Sequence, residues 1–314
     1  MIKVENLTKS FGPKLAVDGI SFEVEQGEVL GFLGPNGAGK STSMRMITGY
    51  LPPNSGRVVV GGFDVLEQPL EARRLIGYLP ENAPIYADMS VHGFLGFCAE
   101  MRGLYGGKKK AALDRVIELC FLQRVVNQSV DTLSKGYRHR TCLAQALIHD
   151  PDILIMDEPT DGLDPNQKHE VRSLIKRMGE SKAIIFSTHI LEEVEAACSR
   201  VILIDQGKLV AKGSPQELKA QAPNAGDLLV SVHGEAVETV VNELRALPSV
   251  AAVTVLDTET DPQVVRINQK GNALSDVAAL GAQRGWQFDR FQMEEGRLDD
   301  VFRAITLSDT NRPT

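Results

Sequence analysis

The sequence predicts a mainly parallel α/β domain followed by a smaller α+β domain. Over the first 221 residues, short apolar runs alternate with helical patterns. One of these runs, Val29–Leu33, leads directly into a glycine-rich stretch that contains Lys40. A stretch of small residues, Pro and Gly at 220–226 then precedes a part of the chain with a different charge balance. Short buried strands that alternate with helices are typical of parallel sheets covered on both faces.

The elements of the first domain each have a separate signal. Apolar runs of strand length predict the strands Val29–Leu33, Val58–Val60, Ile153–Met156, Ala183–Phe186 and Val201–Ile204. A helix is predicted to start near Lys40, directly after the glycine-rich stretch. Spacing of three and four residues predicts another helix, with an apolar stripe formed by Leu113, Val116, Ile117, Cys120 and Phe121.

The last part of the chain shows six predicted elements in the order βαββαβ, which is the ferredoxin-like plan. They are the strand Asp227–Val232, the helix Glu235–Leu247, the strands Val250–Leu256 and Gln263–Asn268, the helix Ala273–Arg284 and the strand Gln287–Gln292. A final helix is predicted over Leu298–Thr306. This part contains no recognisable catalytic cluster, and Trp286 and Phe288 are interpreted as core residues.

The composition and charge narrow the possible classes of protein. The chain has 314 residues, of which 43% are hydrophobic and 24% charged, as in ordinary globular proteins. The four cysteines form no CxxC pair and are expected to be reduced core thiols. No apolar run reaches the length of about 18 residues that spans a bilayer, and no secretory signal is expected at the N-terminus. A net charge of −7 argues against a nucleic-acid partner.

A domain boundary is predicted within the stretch of small residues at 220–226. After it, residues 222–314 contain eight Lys or Arg against fourteen Asp or Glu, so most of the negative charge lies there. We expect a first domain over 1–221, a second over 222–308, and a polar tail over 309–314.

A phosphate-binding loop is predicted directly after the strand Val29–Leu33. The pattern GxxxxGK[ST] is matched by Gly34, Pro35, Asn36, Gly37, Ala38, Gly39, Lys40, Ser41 and Thr42. Glycines let backbone N–H groups turn towards phosphate oxygens, and the following helix start favours the same anion. Lys40 would contact the β- and γ-phosphates, and the Ser41 hydroxyl would ligate Mg²⁺. The alternative is a glycine-rich turn that binds nothing.

Two carboxylates follow another buried strand. Asp157 and Glu158 end the run Ile153–Met156, where ligands of open α/β sheets bind. Asp157 could hold the Mg²⁺ ion, and Glu158 could activate a water for attack on the γ-phosphate. Taken alone, the pair would be interpreted as surface residues at a strand exit. Its combination with the phosphate loop favours the catalytic interpretation.

At this point the sequence resembles the ATP-binding subunit of ABC transporters, over about residues 2–219. The Walker A motif is 34–42, Walker B is 153–158, the D-loop is 161–164, the signature is 133–137 and the switch histidine is His189. The resemblance implies a P-loop NTPase fold with a RecA-like core, an antiparallel β subdomain and a helical subdomain over about 82–150. It also implies ATP and Mg²⁺ as the cofactors of an ATPase.

The resemblance assigns further roles, each with a structural alternative. Phe11 would stack on adenine, although a lone Phe is more often a core residue. His189 would contact the γ-phosphate and orient the attacking water. Ser134 and Gly136 would begin a helix that faces ATP bound to a second copy, although Ser134 could also be an ordinary helix cap.

Two motifs depart from the family pattern, at three positions. Lys135 and Tyr137 stand in the signature where the family usually has Gly and Gln. Glu81 stands where the family has a glutamine, and as a carboxylate it could still ligate Mg²⁺. Both variants are similar to those of ABC-2 type exporter ATPases.

The resemblance also implies partners and a location. The subunit would form a homodimer and dock onto an ABC-2 type transmembrane permease, as a peripheral protein on the cytoplasmic face of the cell (inner) membrane. Apolar residues in the segment 83–89 would help to receive a helix of the permease, or would pack on their own subdomain. A soluble ABC-type ATPase and a nucleotide-sensing regulator are the alternatives, and a single Walker A motif without a long heptad run argues against the first.

Overall fold

The computed structural model describes residues 1–82, 84–256 and 264–310. It divides into two compact units, Met1–Pro215 and Gln216–Thr314. This division lies a few residues before the boundary near residue 221 that the sequence predicts.

The first unit contains a small antiparallel sheet and a larger central sheet. The antiparallel sheet has the order β2-β1-β4-β5. Its strands are β1 (Ile2–Phe11), β2 (Lys14–Val24), β4 (Ser55–Val60) and β5 (Phe63–Asp64). The central sheet has the order β10-β9-β3-β8-β7-β6. Its strands are β3 (Val29–Leu33), β6 (Ile76–Leu79), β7 (Ile153–Asp157), β8 (Ala183–Thr188), β9 (Arg200–Asp205) and β10 (Lys208–Gly213).

The central sheet is parallel except at one edge, where β10 runs antiparallel to β9. Alternate residues of one strand enter different cores, as the two-residue period of a strand requires. In β7, Leu154 and Met156 pack into one hydrophobic cluster. Ile153 and Ile155 pack into the other. Burial on both faces explains why these strands are continuous apolar runs in the sequence.

In the described part of the first unit, seven α-helices of seven to fifteen residues connect the strands. They are α1 (Lys40–Ile47), α2 (Pro69–Leu75), α3 (Val91–Met101), α4 (Gly106–Leu119), α5 (Lys135–Leu147), α6 (Pro165–Gly179) and α7 (Leu191–Ala197). Helices α3, α4 and α5 pack against one another. A capping box at Asp164 and Gln167 begins α6.

Helix α4 is shorter than its apolar stripe predicts. The sequence extends the stripe through Cys120 and Phe121, but the helix ends at Leu119. Phe121 has a φ of 56°, in the left-handed region, and its side chain is 44% exposed. The chain therefore leaves the helix before the last two positions of the stripe, and that part of the prediction is wrong.

Helix α8 (Pro215–Lys219) lies at the division between the units, and the second unit continues with six elements in the order βαββαβ. They are β11 (Leu228–His233), α9 (Val237–Arg245), β12 (Val250–Val255), β13 (Val264–Gln269), α10 (Ala273–Arg284) and β14 (Gln287–Met293). The four strands form an antiparallel sheet of order β12-β13-β11-β14. Its fully buried residues include Leu228, Val230 and Ile267, and Trp286 and Phe288 pack against this core.

The final helix, α11 (Leu298–Thr310), runs four residues beyond its predicted end. Leu298 and Val301 of the predicted stripe are buried. Residue 263, where a strand was predicted to start, residue 83 of the proposed docking segment, and the polar tail beyond Thr310 lie outside the described residues.

All four cysteines are free thiols, two of them buried. Within the described part of the chain, no helix combines the length and the apolar character needed to cross a lipid bilayer.

Candidate functional site

The glycine-rich loop connects the centre of the sheet to a helix. Strand β3 is buried along its whole length between β9 and β8, and α1 begins at Lys40. Gly39 has a φ of 108°, and a Cβ there would lie 2.5 Å from the Ala16 carbonyl oxygen. A Cβ at Gly34 would lie 2.3 Å from the Ile204 carbonyl oxygen. The loop can therefore follow this path only with glycine at both positions.

The Lys40 ammonium is enclosed by this loop. The residue is 6% exposed, and its Nζ donates to the carbonyl oxygens of Gly34 at 2.7 Å and Pro35 at 3.2 Å. Burial lowers the Lys40 pKa from its ordinary value, and the neighbouring carboxylates of Glu158 and Asp157 oppose that shift. A buried cation at a helix start, beside backbone N–H groups, is suited to bind phosphate.

Asp157 is the last residue of β7 and is 1% exposed. Its Oδ1 accepts a short hydrogen bond from the Ser187 hydroxyl on the adjacent strand β8. Its Oδ2 is buried and accepts no hydrogen bond from any residue in the described ranges. A buried carboxylate oxygen without a donor needs a positive partner.

Glu158 adopts a strained backbone conformation directly after β7. Its φ is 51°, in the left-handed region that non-glycine residues seldom adopt. Its backbone N–H donates to the Ser187 carbonyl oxygen at 3.2 Å. This turn directs the carboxylate to Nδ1 of His189, at 3.0 Å, and to Nζ of Lys40, at 3.7 Å.

The Glu158 carboxylate has the properties of a proton acceptor. Burial raises the Glu158 pKa above its ordinary value, while the hydrogen bond from His189 and the charge of Lys40 oppose the shift. A carboxylate with a raised pKa accepts a proton more readily near neutral pH. The His189 side chain is about half exposed, at 49%, so its ring is open to solvent beside this carboxylate.

A pocket of about 420 Å³ lies between the loop and the Glu158 carboxylate, and neither Asp157 nor His189 is among the residues that line it. It is lined by Phe11, Lys14, Ala16, Pro35, Asn36, Gly37, Gly39, Lys40, Ser41, Thr42, Glu81 and Glu158. Phe11 is 51% exposed at the end of β1, so it is not a core residue. An exposed aromatic ring beside a phosphate loop can stack on a nucleobase. Residues that the sequence predicted separately therefore meet in one pocket.

The donors around the pocket suit a magnesium ion. Asp157 offers its unpartnered Oδ2, Ser41 offers a hydroxyl, and the exposed Glu81 offers a carboxylate. Throughout the described residues, no three His, Cys, Asp or Glu side chains form a metal-binding group. Mg²⁺ seldom needs such a cage, because it usually takes one or two carboxylates together with substrate phosphates and water.

Ser134 and Gly136 do not line this pocket. Ser134 caps α5 by accepting a hydrogen bond from the Tyr137 backbone N–H at 3.4 Å. Lys135, the unusual signature residue, forms an ion pair with Asp161 of the D-loop at 2.8 Å. Gly136 is buried against the Gln167 side chain. The start of α5 is thus linked to the D-loop of the same chain.

Sequence reasoning missed Lys14 and Ala16, which line the pocket, and Ser187, which contacts Asp157. Lys14 lines the pocket because the β1–β2 hairpin pairs it with Phe11. The tight turn Gly12-Pro13 was a signal for that hairpin. Ser187 reaches Asp157 because β7 and β8 are paired in this register. The sequence contained no local signal for that second contact.

A phosphate loop after the central strand, with paired carboxylates two strands away, defines a P-loop nucleoside-triphosphate hydrolase. Residues 17–161 match the family described as ABC transporter. Together with curated relatives that are 32% and 34% identical over 98% and 97% of the chain, this match shows that the chain belongs to the ABC transporter ATP-binding proteins, and it binds and hydrolyses ATP.

Two similar curated proteins align with nearly the whole chain, and a third aligns with 71% of it. The linearmycin resistance ATP-binding protein LnrL of Bacillus subtilis is 32% identical over 98% of this chain and 98% of its own length. The Nod factor export ATP-binding protein I of Burkholderia lata is 34% identical over 97% of this chain and 96% of its own. The probable multidrug ABC transporter ATP-binding protein YbhF of Escherichia coli is 39% identical, over 71% of this chain and 39% of its own length.

Solved structures align with about the number of residues that the first unit contains. One described as the ATP binding subunit of an ABC transporter has a TM-score of 0.65 and 27% identity, and covers 70% of this chain and 92% of that chain. A dimeric bacterial ABC transporter cassette has a TM-score of 0.64 at 24% identity, over 68% of this chain and 98% of that chain. The second comparison supports the fold alone.

Proposed function

We propose that this chain hydrolyses Mg·ATP to power an ABC-2 type membrane exporter. It works as a homodimer on the cytoplasmic face of the cell (inner) membrane. The observation that carries the proposal is the contact of Glu158 with both Lys40, at 3.7 Å, and His189, at 3.0 Å, at the edge of the phosphate-loop pocket. This contact brings an acid–base pair next to the expected position of the γ-phosphate.

In this proposal each part of the nucleotide has its own contact. Phe11 stacks on adenine, and the backbone N–H groups of residues 34–42 surround the phosphates. Lys40 contacts the β- and γ-phosphates. Ser41, Asp157 and Glu81 hold Mg²⁺, which when bound supplies positive charge to the phosphate oxygens.

Hydrolysis follows from the placement of Glu158. Its carboxylate takes a proton from the attacking water as the new oxygen–phosphorus bond forms and the bond between the β–γ bridging oxygen and phosphorus breaks. ADP and phosphate then leave. His189 orients the water and contacts the γ-phosphate. Its half-exposed ring, already in contact with Glu158, suits that role.

The proposed homodimer rests on the start of α5. Ser134 and Gly136 lie outside the pocket of their own chain, yet they form a helix start, which favours anions. We place them against the γ-phosphate that the second copy binds. The ion pair of Lys135 with Asp161 would fix the D-loop and the signature together at the same dimer face.

The proposed permease contact rests on exposed apolar residues of the helical subdomain. Tyr86, Phe97, Met101 and Tyr105 are 58%, 37%, 71% and 66% exposed. The Tyr86 and Phe97 rings pack edge to face with centroids 5.5 Å apart. A surface of this kind suits a helix docked through apolar anchors. The export and drug-resistance names of the relatives support an exporter as the partner.

Co-purification tests the exporter proposal. The chain is produced together with a candidate ABC-2 type permease, and membranes are isolated with and without ATP. The wild type should be retained on the membranes, and Tyr86→Glu should be lost. The control is Leu66→Glu, which alters a 51% exposed residue outside the proposed docking surface and should be retained. Equal retention of both variants would contradict the docking surface. No retention of the wild type would contradict a permease partner.

We assign the second unit an accessory role in dimerisation or docking. Its net negative charge makes it a poor site for a triphosphate. Its residues also form a hydrophobic core that is separate from the cores of the first unit. A variant that ends at Gln221 should bind ATP normally but form a weaker dimer, as measured by solution mass. Loss of ATP binding in the folded, shortened protein would contradict this role.

A further inference from the structure

A buried carboxylate lies outside the nucleotide pocket. Glu193, in the first turn of α7, is 1% exposed, although its neighbour Glu192 is exposed. Glu193 does not line the pocket and therefore has no direct contact with the nucleotide. Burying a charged group is strongly unfavourable unless the group is paired and hydrogen-bonded, so its partners indicate what it does.

Two threonine hydroxyls donate to the Glu193 carboxylate. The Thr188 hydroxyl donates to Oε2 at 2.8 Å, and the Thr160 hydroxyl donates a short hydrogen bond to Oε1. Nζ of Lys168, on α6, lies 3.8 Å from Oε1. The Glu193 side chain therefore connects two segments that lie 33 and 5 residues before it in the sequence.

The two threonines flank the proposed catalytic pair. Thr160 follows Glu158 by two residues, and Thr188 directly precedes His189. The Thr188 hydroxyl oxygen also accepts the backbone N–H of Ile190 at 3.0 Å, which fixes the turn on both sides of His189. The backbone of Glu158 is strained, at a φ of 51°, so its conformation must be held by its surroundings.

We infer that Glu193 is a positioning residue that holds Glu158 and His189 in contact. This inference rests on the proposed function, because it takes Glu158 as the proton acceptor. The carboxylate acts through Thr160 and Thr188: it fixes the two turns from which the catalytic side chains project. It contacts neither the nucleotide nor the water.

Glu193→Gln tests the inference with Glu192→Gln as its matched control. Both variants remove one carboxylate charge from the same helix turn, but only the first alters the threonine contacts. Glu193→Gln should lower kcat for ATP about 10- to 100-fold, with the KM for ATP unchanged, since misplacing catalytic groups by about 1 Å can reduce rates 10²-fold. Glu192→Gln should match the wild type. Equal kcat values for the two variants would overturn the inference.

A second pair of variants remains informative if Glu193→Gln does not fold. Thr188→Val removes the hydroxyl while keeping the side-chain shape, and Thr188→Ser restores the hydroxyl. Thr188→Val should lower kcat at an unchanged KM, and Thr188→Ser should recover most of it. A purely structural role would instead lower the midpoint of thermal unfolding and leave the kcat of the folded protein unchanged, which would overturn the inference.

Combination with Glu158→Gln separates this inference from the proposed function. If Glu193 acts through Glu158, the double variant Glu158→Gln/Glu193→Gln should turn over ATP no more slowly than Glu158→Gln alone. A further tenfold loss in the double variant would overturn the inference. Normal turnover by Glu158→Gln itself would instead contradict the proposed function.

Discussion

Removing the Lys40 ammonium should weaken ATP binding about a hundredfold. The residue is 6% exposed, and its Nζ lies 2.7 Å from the Gly34 carbonyl oxygen and 3.7 Å from Glu158. A hydrogen bond to a charged group contributes about 1.5–3 kcal/mol, and the ammonium would contact both the β- and the γ-phosphate. Because Lys40 already has partners before ATP binds, we take about 3 kcal/mol for the two contacts together. A loss of about 3 kcal/mol corresponds to about a hundredfold in Kd.

Lys14→Ala is the matched control for Lys40→Ala. Lys14 lines the same pocket and carries the same charge, but its side chain is exposed. An exposed ion pair contributes about 0–1 kcal/mol, so Lys14→Ala should change the Kd less than about fivefold. Burial lowers the Lys40 pKa, which means that the charged ammonium decreases the stability of the folded state rather than adding to it. Lys40→Ala should therefore stay folded.

The assay is calorimetric titration of both variants with a non-hydrolysable ATP analogue, with thermal unfolding as the check on folding. The reasoning predicts a large difference in Kd between Lys40→Ala and Lys14→Ala. Equal affinities of the two folded variants would refute it, because the buried ammonium would then contribute no more than a surface charge.

Three further predictions concern the dimer, the metal and pH. Gly136→Asp should abolish ATP-driven dimerisation in sedimentation experiments. Its carboxylate would face the γ-phosphate, and its Cβ would lie 2.4 Å from Oε1 of Gln167. Dimerisation of the variant to the same extent as the wild type would contradict this. Glu81→Gln should lower the Mg²⁺ concentration for half-maximal turnover and keep turnover within a few fold, since one negative charge leaves the site; an unchanged Mg²⁺ requirement would place Glu81 outside the metal site. Burial lowers the pKa of His149 to about 4, below its ordinary value of 6.5. As the pH falls through this interval the unfolded chain takes up the proton first, so the free energy of unfolding should decrease by about 1–3 kcal/mol. Urea unfolding of the wild type and His149→Gln measures this, and equal pH slopes would show that His149 is not the cause.

Strands buried on both faces could be predicted from the sequence. The continuous apolar runs of β3, β7 and β8 are typical of strands inside a sheet that is covered on both faces. Helix α10 has the predicted bounds, from Ala273 to Arg284, since Gly285 ends it in the left-handed conformation. These signals are local, so a single sequence contains them.

Other elements depend on contacts that are distant in the sequence. Strands β1 and β2 are half-exposed and irregularly paired, so they show no continuous apolar run. The end of α4 is set by the left-handed conformation of Phe121, which the helical spacing does not reveal.

The residues of the candidate site also divide into those with a local sequence signal and those that depend on contacts distant in the sequence. The phosphate loop and the pair Asp157 and Glu158 are recognisable by residue type and spacing. The Ser187 hydroxyl on Asp157 and the threonine contacts of Glu193 depend on strand register and helix packing between distant segments. A motif therefore identifies the groups that we propose to contact the nucleotide, whereas the side chains that hold them in place are found only in the folded structure.

The rate of phosphate release by Glu158→Gln at saturating ATP tests the central claim most directly. The substitution keeps the shape of the side chain and removes the proton-accepting carboxylate beside His189. Positioned acid–base groups contribute about 10²–10⁴-fold, so the rate should fall by that factor. ATP should remain bound, because the phosphate loop is intact. Phosphate release near the wild-type rate would contradict the account.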